Sequence, residues 1–178
     1  MYIGDERLRV GGGQIALTVN DFWRWAYSDL LNKQNRTIFA DFLVATSLEE
    51  RPMQRQTGQG YDILWTPDGE GIRVNVKAGA YTEALEMEHP DHIQIRLSEY
   101  DEPHSCDVIV FCIFRAMSQY DSPLDMELWD FYTASSRVLY RDVPDRRVIT
   151  LPALMELEPV WSDYYGIGTA IQKAMTAR

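Results

Sequence analysis

Apolar and polar side chains alternate most regularly in two stretches on either side of Pro67-Asp68-Gly69-Glu70. In the first, Tyr61, Ile63 and Trp65 alternate with Asp62, Leu64 and Thr66. In the second, Ile72, Val74 and Val76 alternate with Arg73, Asn75 and Lys77. A period of two marks a half-buried strand, and Asp68-Gly69 marks a tight turn because both residues tolerate positive φ. The pattern therefore predicts a hairpin of strands 61–66 and 72–77. A turn centred between Asp68 and Gly69 sets Asp62 opposite Asn75, with Cβ atoms about 5 Å apart. Lys77, two positions on, points to the same side as Asn75. A carboxylate, an amide and an ammonium then share one polar patch.

The rest of the chain builds an α/β (α+β) domain around that hairpin. Residues 107–114 form an almost unbroken apolar run, the signature of a central strand covered on both faces. Residues 92–97 alternate as a half-buried strand, and 128–134 read as a further strand. One helix is expected from an Asn20 cap to Leu31, with Phe22, Trp23, Trp25 and Tyr27 packed in the core. A second is expected over 35–48, and terminal helices over 151–157 and 161–175. Residues 1–19, with Gly11-Gly12-Gly13, read as an arm or short edge strand ahead of a single domain spanning 1–178.

Asp41 breaks the pattern of the second helix. Its helical neighbours are Thr37, Ile38, Val44, Ala45 and Leu48, which places a carboxylate inside an apolar stripe. A buried carboxylate is costly unless paired, so Asp41 should meet a cation, a donor set or a metal. A cap or salt bridge at the helix–sheet boundary satisfies it as well as a metal shell does.

Composition narrows the class. A chain of 178 residues with 46% hydrophobic and 12% aromatic content suits one packed domain. No apolar run approaches the roughly 20 residues of a membrane span, and no signal-peptide core is present at the N-terminus, so a soluble cytoplasmic protein without a membrane partner is expected. Cys106 and Cys112 sit too far apart along an extended segment to bridge and read as core thiols. A net charge of −10 weighs against binding a polyanion, although a local basic patch can serve while other faces stay acidic. Arg36, Arg55 in the 49–60 loop beside Arg51, and Arg141 are the candidate substrate-binding residues. Arg141 belongs to the most basic stretch, with Arg137, Arg146 and Arg147 around Asp142 and Asp145, read as a hairpin-like excursion. The glycines at 11–13 lack the Lys-Ser/Thr of a phosphate loop, and Gly166-Ile167-Gly168 lacks the third glycine of a dinucleotide fingerprint. His89, Asp91 and His92 are interrupted by Pro90 and read as a solvated acidic loop rather than a metal site.

Asp62 followed on the next strand by Asn75-Val76-Lys77 resembles the PD-(D/E)xK motif of the restriction-endonuclease-like superfamily, with the second acid standing as Asn. Asn35-Arg36, Ala40-Asp41-Phe42, the Tyr61-Asp62 strand, the apolar strand at 107–111 and Trp129 to Tyr132 add a resemblance to poorly characterised bacterial members of it. The similarity runs from about Trp23 to the end. It implies a restriction-endonuclease-like mixed sheet flanked by helices, and metal-assisted phosphodiester hydrolysis with Mg²⁺ or Mn²⁺. Asp62, Asn75, the Val76 carbonyl and Asp41 as helix acid would hold the metal, Lys77 would be the charged helper, and DNA or another nucleic acid the partner. Asn75 keeps an oxygen ligand but drops a negative charge, which Asp41 would replace better than Glu83 does. The competing class is a nuclease-fold protein that has lost catalysis and acts as a binding or assembly module with a protein partner. A plain Asp62–Lys77 salt bridge explains those two residues without any function.

Overall fold

The computed structural model describes residues 2–48, 55, 60–81, 93–97, 105–118, 120–143 and 147–176. A five-stranded mixed sheet organises them. Strands β3 (Ile63–Trp65) and β4 (Ile72–Ala80) pair antiparallel with Ile63 opposite Val74, Leu64 opposite Arg73 and Trp65 opposite Ile72. This is the register that the Asp68-Gly69 turn predicts. β6 (Val108–Phe114) lies parallel to β4, and β7 (Trp129–Ser135) and β9 (Val160–Ser162) continue the sheet antiparallel, in the order β3-β4-β6-β7-β9.

β6 holds the centre because none of its seven side chains meets solvent. Fully burying a large apolar side chain stabilises by about 1.5–3 kcal/mol, whereas a ladder hydrogen bond contributes about 1 kcal/mol net. Its side chains, more than its hydrogen bonds, therefore decide its place. Val108, Val110, Cys112 and Phe114 enter one layer with helices α2 (Lys33–Ser47) and α5 (Ile167–Thr176). Ile109, Phe111 and Ile113 enter the other, with residues of a two-stranded ribbon, β5 (Gln94–Arg96) and β8 (Val148–Thr150), and of helices α3 (Ser136–Asp142) and α4 (Leu151–Met155). Both cysteines are buried thiols, one in each layer. Burial pushes the Cys112 thiol well above its usual range. Asp107 holds the parallel pair in register at its start, accepting from the Arg73 backbone N–H at 2.8 Å and from its guanidinium at 3.1 and 2.8 Å.

Several expectations fail, each for a local reason. The first helix, α1 (Val19–Tyr27), is capped by Thr18 in a reciprocal box with Asp21, not by Asn20, and it stops short of Leu31. Its aromatic residues are not core: no residue of α1 is buried, and Trp25 is 82% exposed. Phe22 meets Trp25 and Tyr27 instead, with ring centroids 6.5 and 6.3 Å apart. An amphipathic pattern states which face is apolar, not what covers it. The helix follows only a hairpin of β1 (Arg7–Val10) and β2 (Gly13–Thr18), which is itself exposed on nearly all its residues.

α2 begins at Lys33, two residues early, because the Asn32 side chain accepts from the Gln34 and Asn35 N–H groups. Residues 137–142 are helical rather than hairpin-like, and Trp161 stands in β9, so the last helix starts at Ile167. Arg51, Glu83, His89, Asp91, His92, Asp145 and Arg146 lie outside the described residues. No helix among the described residues is long and apolar enough to cross a membrane.

Candidate functional site

The site forms where β3 ends and β4 continues. Ile63 and Val74 are the last paired residues, and the Asp62 N–H still reaches the Val74 carbonyl at 2.9 Å before the two segments part. The next N–H on that edge belongs to Val76, and the Asp62 Oδ2 atom accepts it at 2.8 Å. The Asp62 carboxylate thus takes the hydrogen-bonding position on β4 that lies just past its pairing with β3. Strand geometry turns the Val76 carbonyl to the same edge as its N–H. Asn75 is buried, and its amide donates a long bond, 3.4 Å, to the Gly60 carbonyl. Gly60 carries φ +74°, and a Cβ there would come within 2.9 Å of the Ser105 side chain, so the segment entering Asp62 needs glycine.

Asp41 comes from α2. Lys33, Thr37 and Asp41 follow at intervals of four and so share one helical face, and all three line the cleft. The helix packs through Ala40, Leu43 and Val44 on the layer that holds Val74 and Val76. It does not lean over the patch of Asn75 and Lys77, because strand alternation sends those side chains the other way. Asp41 and Lys77 therefore approach one cleft from the two sides of the β4 edge.

Asp41 is 5% exposed. Its Oδ2 accepts from Arg55 Nε at 2.6 Å, while its buried Oδ1 has no hydrogen-bond donor among the described residues. Burial, joined by the neighbouring Asp62 charge, pushes its pKa up to about 7 against the pull of Arg55 and Lys77. The short Arg55 bond favours the ionised form, yet desolvation outweighs it. Asp62 and Lys77 both act on Asp41 through their charges, so the three side chains share one electrostatic neighbourhood.

The cleft encloses about 1000 Å³ and gathers Asp41, Asp62, Asn75, Val76, Lys77 and Arg55 from the sequence-derived set. It does not include the other two candidates. Arg36 is 2% exposed, and its Nη1 donates to the Leu31 carbonyl at 2.7 Å. Arg141 is exposed on α3, held to Asp142 at 2.8 and 3.0 Å. Sequence reasoning missed Lys33 and Arg96 and read Arg147 only as part of the basic stretch; all three line the cleft. Their signals were slight: Lys33 stands eight residues before Asp41, and Arg96 holds an outward position of an alternating strand.

The lining has a charge balance unlike that of the chain. Among its described residues, Lys33, Arg55, Lys77, Arg96 and Arg147 stand against Asp41 and Asp62, five cations to two anions, in a protein of net charge −10. Asp41, Asp62, Asn75 and the Val76 carbonyl offer only oxygen donors, the chemistry of a hard cation. The undonated Asp41 Oδ1 fits such a role. No group of three or more His, Cys, Asp or Glu side chains suited to a metal is present among the described residues, and the acids of the donor set are Asp41 and Asp62. Compared with protein-family models, curated proteins and solved structures, the chain matches none.

Proposed function

We propose that this cleft hydrolyses phosphodiesters with the help of Mg²⁺ or Mn²⁺, as a restriction-endonuclease-like, PD-(D/E)xK nuclease whose second motif acid is replaced by Asn75. The observation that carries the reading is the meeting of Asp41, Asp62, Asn75 and Lys77 where β4 runs on past its pairing with β3, in a lining whose other described charged residues are all cations. Asp62, Asn75, Asp41 and the Val76 carbonyl would hold the metal, which when bound polarises the phosphate and lowers the pKa of a water. Asp62 is oriented for this by the Val76 N–H. Lys77 stabilises charge that develops on the phosphate oxygens. Arg55 carries its guanidinium at the mouth, 42% exposed, where it screens Asp41 and attracts the anionic substrate.

The test is metal-dependent cleavage of labelled oligonucleotides by the native chain and by Lys77→Ala and Asp62→Ala. Cleavage that needs metal and falls at least a hundredfold in both variants is expected. Cleavage unchanged in both variants overturns the reading. One observation favours the second class: the position opposite the Asp62 strand end carries an uncharged amide, which weakens any hold on Mg²⁺. In that reading the same cleft binds its phosphate ligand without cutting it, and native chain and variants alike show no turnover.

A further inference from the structure

The β5–β8 ribbon brings two arginines to the cleft that the nuclease-like motif does not account for. Arg96 closes β5 opposite Val148, and Arg147 stands immediately before β8. The Leu97 N–H donates to the Arg147 carbonyl at 2.9 Å, so the two residues are carried by one tied end of the ribbon. Ile95 and Ile149 face the core from the same ribbon, while Arg96 and Arg147 are exposed.

Gly79 explains how that end comes so near the motif. It follows Lys77 by two residues on the same sheet face. A Cβ at Gly79 would meet Ile93 at 3.0 Å and Ile95 at 3.2 Å, tighter than ordinary packing, so the missing side chain lets the ribbon settle closely on β4. The ribbon then seats next to Lys77, and Arg96 and Arg147 line the same cleft.

We propose that Arg96 and Arg147 form a phosphate subsite that holds single-stranded nucleic acid across the cleft, beside the phosphate that faces Lys77. The proposal rests on the phosphodiester reading of the Asp62–Lys77 site and names the form of its substrate. Two cationic elements, β4 and the ribbon end, call for a ligand with more than one phosphate. The volume, about 1000 Å³, falls at the upper end of pockets that take small ligands. It admits a short run of unpaired nucleotides rather than a duplex. A duplex also lays a negative charge along about every 1.7 Å of its axis, and beyond the cleft it would meet the surface of a chain with ten excess negative charges. An unpaired strand keeps its phosphates inside the cationic lining.

The experiment is fluorescence anisotropy of a short labelled single strand in EDTA, where binding is read without cleavage, over a range of salt concentrations. Competitors are the same sequence as a duplex, and inorganic phosphate. The native chain is expected to bind the single strand more tightly than either competitor. Arg96→Ser with Arg147→Ser is expected to weaken binding by about tenfold or more, and to flatten the slope of log K against log salt by about 1.4, or roughly 0.7 for each phosphate that is no longer neutralised. Lys173→Ser, exposed on α5 away from the cleft, leaves both unchanged. Both arginines are exposed, and a native-like circular-dichroism spectrum shows that the double variant is folded. The proposal is overturned by native-like affinity in the double variant, by equal or tighter binding of the duplex, by equal competition from inorganic phosphate, or by no binding of the single strand. Metal-dependent cleavage with intact Lys77 dependence, alongside any of those results, sinks the subsite and leaves the phosphodiester reading standing. Loss of that dependence with strand binding intact does the reverse.

Discussion

Asp41 Oδ2 accepts the Nε hydrogen of Arg55 at 2.6 Å, joining a buried helix residue to a cation that is 42% exposed on another segment. The pair is lopsided. Asp41 has surrendered its hydration, whereas Arg55 keeps much of its own, so Asp41 depends on the bond more than Arg55 does.

Replacing Arg55 with Gln should therefore destabilise the fold by about 2 kcal/mol at pH 8.5, the scale of a lost charge-assisted hydrogen bond. The sign with pH follows from Asp41, whose pKa stands at about 7 in the folded state against an ordinary 3.8. A raised carboxyl pKa favours the fold at low pH, and that contribution is lost as pH rises from 3.8 through 7. Below 7 the neutral Asp41 needs Arg55 less, so the variant's deficit should shrink at pH 5.5. Urea denaturation at the two pH values checks this; an equal deficit at both would show that Arg55 acts through packing alone.

Titration calorimetry with Mg²⁺ or Mn²⁺ should show weak or undetectable binding in the native chain, because a neutral amide stands where a third charge would help and Mg²⁺ gives up its waters reluctantly. Asn75→Glu should bind metal at least tenfold more tightly. Without metal that variant should be less stable than the native chain, through repulsion with Asp62 and burial of another charge at a position 4% exposed. Metal should then restore its melting temperature by mass action. No change in metal affinity and no metal-dependent melting would remove the metal from the proposed chemistry.

Asp107 supplies a dependence of the opposite sign. Its hydrogen bonds from the Arg73 side chain and then backbone hold its pKa below the usual 3.8. A depressed carboxyl pKa contributes stability that is present above 3.8 and lost as pH falls through the folded value. Asp107→Asn should cost about 1 kcal/mol at pH 7, allowing for screening of a partly exposed pair. The difference between variant and native chain should narrow as pH drops below 3.8. A deficit that persists undiminished at pH 2 would place the role of Asp107 in geometry and not in charge.

Gly60→Ala should destabilise by about 1–2 kcal/mol, since φ +74° is strained for any residue with a Cβ and the new methyl meets Ser105 at 2.9 Å. Because the Gly60 carbonyl accepts from Asn75, the variant should also move the Asn75 side-chain amide resonances in a nitrogen–proton spectrum. An undisturbed Asn75 signal would show that the Gly60 segment does not position the site.

What the amino-acid order determined was local or periodic. The Asp68-Gly69 centre predicted the β3–β4 register because a connection centred there leaves one pairing compatible with alternation, and that pairing forms across residues 66–71. The apolar run at 108–114 marked the centre of the sheet because only a strand covered on both faces uses such a run. Asp41 was legible as a buried carboxylate from its helical neighbours alone. Its partner was not: Arg55 lies fourteen positions away, outside any helical or strand spacing. Nor could periodicity tell that the aromatic stripe of α1 stays uncovered, since the covering surface belongs to other elements. Lys33, Arg96 and Arg147 become one cationic lining only after α2 docks on one side of the sheet and Gly79 admits the ribbon on the other. Charge in the sequence adds to −10 without regard to place. The packing of helix and ribbon at one strand edge decides where five cations meet two anions.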